Sequence, residues 1–200
     1  MYGLVNQGLQ DFVVRTRGEA MWRHVCGAVG VDVGVFVGMN TYPDAMTFRL
    51  VEESSKLLDM SVADLLRQFG RHWILYTARR GYGAIFDTMG LTLVEFLANL
   101  DMMHTRLSLT MPDLRPPSFV CESLGEGCIR LEYRSERDGL AQMVVGLLEG
   151  LCEMYGQDLA VEHTMPRGSQ SDCDEFILRP RVPALAHAEG GAIAWQHDMD

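Results

Sequence analysis

The chain has 200 residues, 48% of them hydrophobic and 22% charged, which is enough apolar content for one sizeable core and falls within the usual size of one domain. Its 27 acidic residues outnumber 17 basic ones, and the net charge of -10 repels phosphate backbones and anionic lipid, which argues against nucleic acid or a membrane surface as partner. No charged leader with a cleavage site opens the chain and no run of 18 apolar residues follows, so a soluble cytoplasmic protein is expected.

Five cysteines at irregular spacing, Cys26, Cys121, Cys128, Cys152 and Cys173, are an odd number without a CxxC pair, which points to reduced thiols rather than a disulfide framework. Thirteen methionines fit flexible core filling, or a pocket for a large apolar ligand.

From Met1 to about Met111 the apolar spacing is mostly helical, interrupted at Gly30 to Pro43 and at Gly81 to Gly83. Pro112, Pro116 and Pro117 then break the chain. From Ser118 the period changes to two through FVCES, a turn at LGEG and CIRLEYRSE, the pattern of a β-hairpin. A helix fits Leu140 to Tyr155, and two short strands fit Leu159 to His163 and Glu175 to Leu178. The expected class is α+β: an N-terminal helical subdomain, then a small antiparallel sheet with packed helices. Residues 181–200 lose periodicity and are expected to form a disordered tail, leaving 1–180 as the domain.

Two segments carry candidate chemistry. In LTLVEFLANLDMMHTRLSLTM, Leu93, Phe96, Leu97, Leu100, Leu107 and Met111 share one helical face, and His104 falls on it. A histidine there is either a core residue bonded to a backbone carbonyl or a neutral imidazole ligand facing a metal in an apolar pocket. On the strand from Ile129 to Arg137, Tyr133, Ser135 and Arg137 lie at i, i+2 and i+4 and therefore on one face. A phenol, a hydroxyl and a guanidinium in a row can donate to carboxylate oxygens, although a strand ending at a solvated rim gives the same pattern.

These two segments, together with MYGLVN at the start, the Met-Pro-x-x-x-Pro-Pro-Ser-Phe run from Met111 to Phe119 and RDGLAQMVVGLLEG after Arg137, resemble the H-NOX (haem nitric oxide/oxygen binding) family, which includes the haem domain of the soluble guanylate cyclase beta subunit. The resemblance covers about residues 1–180 and is most specific in the histidine followed by Tyr-x-Ser-x-Arg, complete here as Tyr133, Ser135 and Arg137. It implies haem b between the helical part and the sheet, His104 as axial iron ligand, the propionates held by Tyr133, Ser135 and Arg137, and Pro117 pressing on the macrocycle. It also places Val5, Leu9, Trp73 and Met143 on the distal wall.

Family members that hold oxygen stably carry a distal tyrosine where this chain aligns Met143, whose thioether supplies no proton. Nitric oxide, with carbon monoxide also binding, is therefore the expected ligand, and an oxygen sensor or carrier is the alternative, with Tyr82 or Gln142 as possible donors. A haem redox enzyme is disfavoured, because the aligned distal positions hold no acid/base pair; a haem-free scaffold would leave His104 a core residue. No phosphate-cradling, kinase or nucleophile-elbow motif is present, so no enzymatic activity is expected. The resemblance implies output in trans through a histidine kinase or a cyclic-di-nucleotide enzyme. A zinc site at His163 and Cys173, with Cys152 as a third ligand, lacks the fourth ligand that structural zinc normally needs, and His187 and His197 have no evident partner.

Overall fold

The computed structural model describes residues 1–32, 36–78, 83, 85–168 and 171–181. The expected tail beyond Arg181, with His187 and His197, and the expected break at Gly81 and Tyr82 lie outside these residues.

The first part is helical: α1 (Gly3–Arg17), α2 (Glu19–Val29), α3 (Asp44–Leu58) and α4 (Val62–His72). Their ends follow local chemistry. Gly30 stops α2 in the left-handed conformation (φ 77°), where an L side chain is strained, and its N–H returns to the Cys26 carbonyl. Ser61 caps α4 by accepting from the Asp64 N–H at 3.0 Å. Leu9, Val13, Val25, Leu50 and Leu65 have no exposed surface and close the core of this part, with Trp22 and Phe69 at 1%. Helix α4 runs on into a π-helical turn, Trp73–Ala78.

The segment carrying His104 is two helices rather than one, α5 (Leu93–Ala98) and α6 (Leu100–Ser108). A capping box starts α5, with Thr92 and Glu95 each bonding the other's backbone, and the break falls at Asn99, whose side-chain amide donates to the Met89 carbonyl at 2.9 Å. The expected buried face survives the break: Leu93, Phe96, Leu97, Leu100 and Met111 are buried, and Leu107 packs partly buried against the same core.

Among the described residues the four strands are β1 (Ser118–Gly125), β2 (Cys128–Arg134), β3 (Leu159–Met165) and β4 (Asp174–Pro180), in the order β1-β2-β4-β3 with every neighbouring pair antiparallel. Helix α7 (Ala141–Met154) lies between β2 and β3 in sequence. Its Val144, Val145, Leu148 and Leu151 share a core with Leu131, Phe176 and Leu178 of the sheet and with α5. Each such side chain stabilises the domain by roughly 1.5–3 kcal/mol relative to exposure. The fold is thus α+β as expected, with helices and a small antiparallel sheet joined through α7.

Helix α7 crosses α4 at very close range. A Cβ on Gly146 would stand 1.8 Å from the Arg67 carbonyl oxygen, and one on Gly70 would stand 2.2 Å from that of Met143. Only glycine permits that approach, and it fixes α7, with Met143, against α4 and the adjoining Trp73.

Candidate functional site

An apolar cavity of about 350 Å3 runs between the helical part and the sheet. Helix α1 contributes Val5, the π-helical turn Trp73 and α7 Met143; α6 contributes His104, the following segment Pro117, β1 Phe119, and β2 with the turn after it Tyr133, Ser135 and Arg137. Eight of the nine residues singled out from the sequence therefore meet in one cavity. The ninth, Leu9, does not line it. One turn along α1 from Val5, it is fully buried in the helical core with Phe12 and Val13, in the cluster against which Val5, Trp73 and Met143 pack.

His104 is half-buried, and its Nδ1 is a buried nitrogen without a hydrogen-bond partner. Burial pushes the imidazole below its ordinary pKa, against Asp101 and the Pro117 backbone carbonyl, both of which favour the proton. The ring is stacked on Phe119, with centroids 5.9 Å apart and planes 28° from parallel; Phe119 in turn lies 5.4 Å from Tyr133. A neutral imidazole with an unpartnered nitrogen, fixed in an apolar cavity, suits a borderline transition metal such as iron.

Tyr133 is buried, and burial pushes its phenol pKa up, so it is a hydroxyl donor at neutral pH; it hydrogen-bonds Ser135. Strand β2 ends at Arg134, so Ser135 and Arg137 stand in the turn beyond it and not on the strand, as the two-residue spacing had suggested. The reason is local. Ser135 Oγ accepts from the Arg137 N–H at 3.1 Å, and Gly139 (φ 76°) turns the chain towards α7. Both side chains still reach the cavity.

Arg137 Nε donates to Asp44 Oδ2 at 2.7 Å, and one Nη donates to the Arg115 carbonyl at 2.9 Å. Asp44 also receives the Met1 ammonium at 2.5 Å. Burial pushes the Asp44 carboxyl up, but the bonds from the Met1 ammonium and Arg137 outweigh it and hold the group below the ordinary carboxylate range. A second, polar cavity lined by Thr41, Asp44, Asp113, Arg115, Glu136 and Arg137 adjoins the apolar one through shared residues. Apolar walls, one orphaned imidazole nitrogen and hydroxyl and guanidinium donors beside a polar cavity fit a flat apolar macrocycle that carries carboxylates at one edge.

Sequence reasoning missed Asp44 and the stacking of Phe119. An acid in the first turn of α3 is the one local signal for Asp44, and its pairing with Arg137 spans 93 residues. His163 is elsewhere: its Nε2 pairs with Asp174 at 2.9 Å, its ring stacks on Phe176, and Cys173 is buried with the Ser171 hydroxyl 3.4 Å from its sulfur. Among the described residues no group of three or more His, Cys, Asp or Glu side chains is placed to hold a metal ion.

The α+β fold and this cavity define a domain built to enclose a prosthetic group between a helical part and a sheet. Residues 2–163 match the family described as Haem-NO-binding, and the chain belongs to that family of haem-binding gas-sensor domains, the H-NOX domains, whose role is sensing rather than catalysis. It is 26% identical over 163 residues to soluble guanylate cyclase gcy-31 of Caenorhabditis elegans, covering 81% of this chain and 23% of that protein. It is 33% identical over 98 residues to the guanylate cyclase soluble subunit beta-2 of Rattus norvegicus, covering 48% of this chain and 14% of that one. The chain thus spans under a quarter of these relatives' length.

Among solved structures, an H-NOX protein from S. oneidensis in the Fe(II)NO ligation state superposes with a TM-score of 0.80 at 21% identity, over 91% of this chain and 100% of that one. An oxygen-binding H-NOX domain in its oxygen complex gives 0.74 at 22%, over 89% and 93%. At these identities the likeness shows the fold.

Proposed function

We propose that this domain senses nitric oxide through haem b, with His104 as the axial iron ligand. The observation that carries the reading is the buried, unpartnered Nδ1 of His104 in an apolar cavity that also receives Tyr133, Ser135 and Arg137. Bound haem would supply an iron centre able to take a diatomic gas. Phe119 stacks against the imidazole, so its orientation is set by the protein. Tyr133 and Ser135 offer hydroxyl protons, and Arg137 the guanidinium N–H groups left over from its bonds to Asp44 and the Arg115 carbonyl, a donor set suited to propionates. Pro117 lines the same cavity with its φ fixed by the ring, which suits it to press on a macrocycle.

Gas selectivity follows from the other wall residues. Val5 and the Met143 thioether donate no hydrogen bond, whereas a stably held oxygen requires a donor. Nitric oxide and carbon monoxide need none. Trp73 does carry an indole N–H, and that observation supports the second reading, an oxygen sensor or carrier on the same fold. Reduced, haem-loaded protein placed in air-saturated buffer and then exposed to nitric oxide separates the two. An absorption spectrum that air leaves unchanged apart from slow oxidation, and that nitric oxide shifts, supports the first; a stable new spectrum in air overturns it.

Signal output requires that gas binding bias two arrangements of α6 and the Pro116–Pro117 segment, and it can do so only by its differential affinity for them. The effector class the resemblance implies is a histidine kinase or a cyclic-di-nucleotide enzyme acting in trans. No described helix is long and apolar enough to cross a membrane, and a cytoplasmic location is part of this reading.

A further inference from the structure

The turn that carries Ser135 and Arg137 lies outside β2, and a turn between a strand and a helix is not rigid by itself. Its backbone is nevertheless held, from a residue about 30 positions away. The Arg167 guanidinium donates one Nη to the Ser135 carbonyl and the other to the Arg137 carbonyl at 3.2 Å, and it also meets the Asp138 carboxylate. Both carbonyls belong to residues that line the cavity.

Arg167 is itself anchored. Its backbone N–H donates to Asp174 Oδ1 at 3.0 Å, the same oxygen that pairs with His163 Nε2 at 2.9 Å, and Asp174 is 9% exposed at the start of β4. The His163 ring lies flat on Phe176 of the sheet core, 4.8 Å between centroids. A chain of contacts therefore runs from the sheet through Asp174 and Arg167 to the turn. The Asp138 carboxylate is 93% exposed and adds little; the two carbonyl bonds do the holding.

We propose that Arg167 is a positioning residue for the carboxylate clamp: by holding the Ser135 and Arg137 carbonyls, it fixes the angle at which their side chains meet the haem propionates. The proposal rests on the haem reading above. Arg167 touches no reacting group and acts through the turn, so its effect depends on Ser135 and Arg137 being present. A role confined to the β3–β4 connection would not.

The test is the rate at which the haem-loaded full chain gives up haem to excess haem-free myoglobin, compared in wild type, Arg167→Ala, Ser135→Ala/Arg137→Ala, the triple variant, and Arg134→Ala as a control whose guanidinium pairs with Glu132 and Asp172 instead. Arg167→Ala is expected to speed haem loss roughly tenfold, the consequence of losing one well-placed charge-assisted interaction. In the Ser135→Ala/Arg137→Ala background the same change is expected to add less than about twofold, because coupled residues do not add. Arg167→Lys, which keeps the charge but cannot span two carbonyls as a planar fork, gives an intermediate rate and serves if the alanine variant does not fold. Haem loss from Arg167→Ala and Arg167→Lys at the wild-type rate, or equal acceleration by Arg167→Ala in both backgrounds, overturns the proposal alone. A wild-type chain that retains no haem overturns the haem reading and the proposal with it.

Discussion

His104 and Phe119 lie nearly face to face, centroids 5.9 Å apart and planes 28° from parallel, although one belongs to a helix and the other to the first strand. The strand is tied to the helix at the same point, where the Phe119 N–H donates to Asp101 Oδ1 at 2.9 Å. The imidazole therefore meets the cavity in an orientation set by two elements. Phe119→Ala removes the stacking partner while leaving His104 in place, and is expected to accelerate haem loss by roughly two- to tenfold, the range of one aromatic pair. An unchanged dissociation rate would show that the helix alone orients the ring.

The crossing of α4 and α7 gives a test of the fold that is independent of haem. Gly146→Ala places a Cβ 1.8 Å from a backbone oxygen and Gly70→Ala places one at 2.2 Å, and neither backbone can move aside cheaply. Each is expected to destabilise the domain by about 1–3 kcal/mol or more in urea unfolding. Gly27→Ala, inside α2 with nothing within 4 Å of its Cβ, is expected to stabilise by up to about 1 kcal/mol. Equal effects at the three positions would contradict the close approach.

Asp44 gives the acid limb a defined sign. Its folded pKa lies below the ordinary value, so its contribution to stability is present above about pH 3.9 and is lost as the pH falls through the lower, folded value. Asp44→Asn should flatten that part of the pH–stability curve. With the side chain 39% exposed, solvent screening keeps the effect below about 1 kcal/mol, and added salt should reduce it. A variant whose acid unfolding curve overlays that of the wild type would remove the Asp44 pairing with Arg137 and Met1 from the account.

Selectivity is open to a gain of function. Met143→Tyr sets a phenol on the cavity wall of α7 and is expected to let the reduced, haem-loaded protein hold oxygen in air, read as a stable change in its visible spectrum. Should wild type already do so, Trp73→Phe, which deletes the indole N–H, is expected to abolish it. Oxygen retention untouched by either substitution would assign the donor to another residue.

The parts of the molecule that were legible in the sequence are those set by local periodicity. The alternation through 118–134 and the period change after Pro117 mark β1 and β2, and the apolar face from Leu93 to Met111 marks α5 and α6. The split at Asn99 was not legible, because it depends on a hydrogen bond to Met89 that has no counterpart in apolar spacing. Extending β2 to Arg137 failed for a similar reason: polar alternation continues past Arg134, while the Ser135 side chain, Gly139 and the Arg167 guanidinium end the strand. Leu9 shares the apolar character of Val5 but faces the helical core. Asp44 and Arg167 reach the turn from 93 and about 30 residues away, and side-chain pairs at that separation leave no mark on a single sequence.

The most direct test of the central claim is the anaerobic absorption spectrum of reduced, haem-reconstituted protein beside that of His104→Gly, each with and without added imidazole. The expected result is a histidine-ligated haem spectrum in the wild type, its loss in His104→Gly, and its return when imidazole fills the vacated space. A His104→Gly spectrum identical to that of the wild type would contradict the assignment of His104 as the iron ligand.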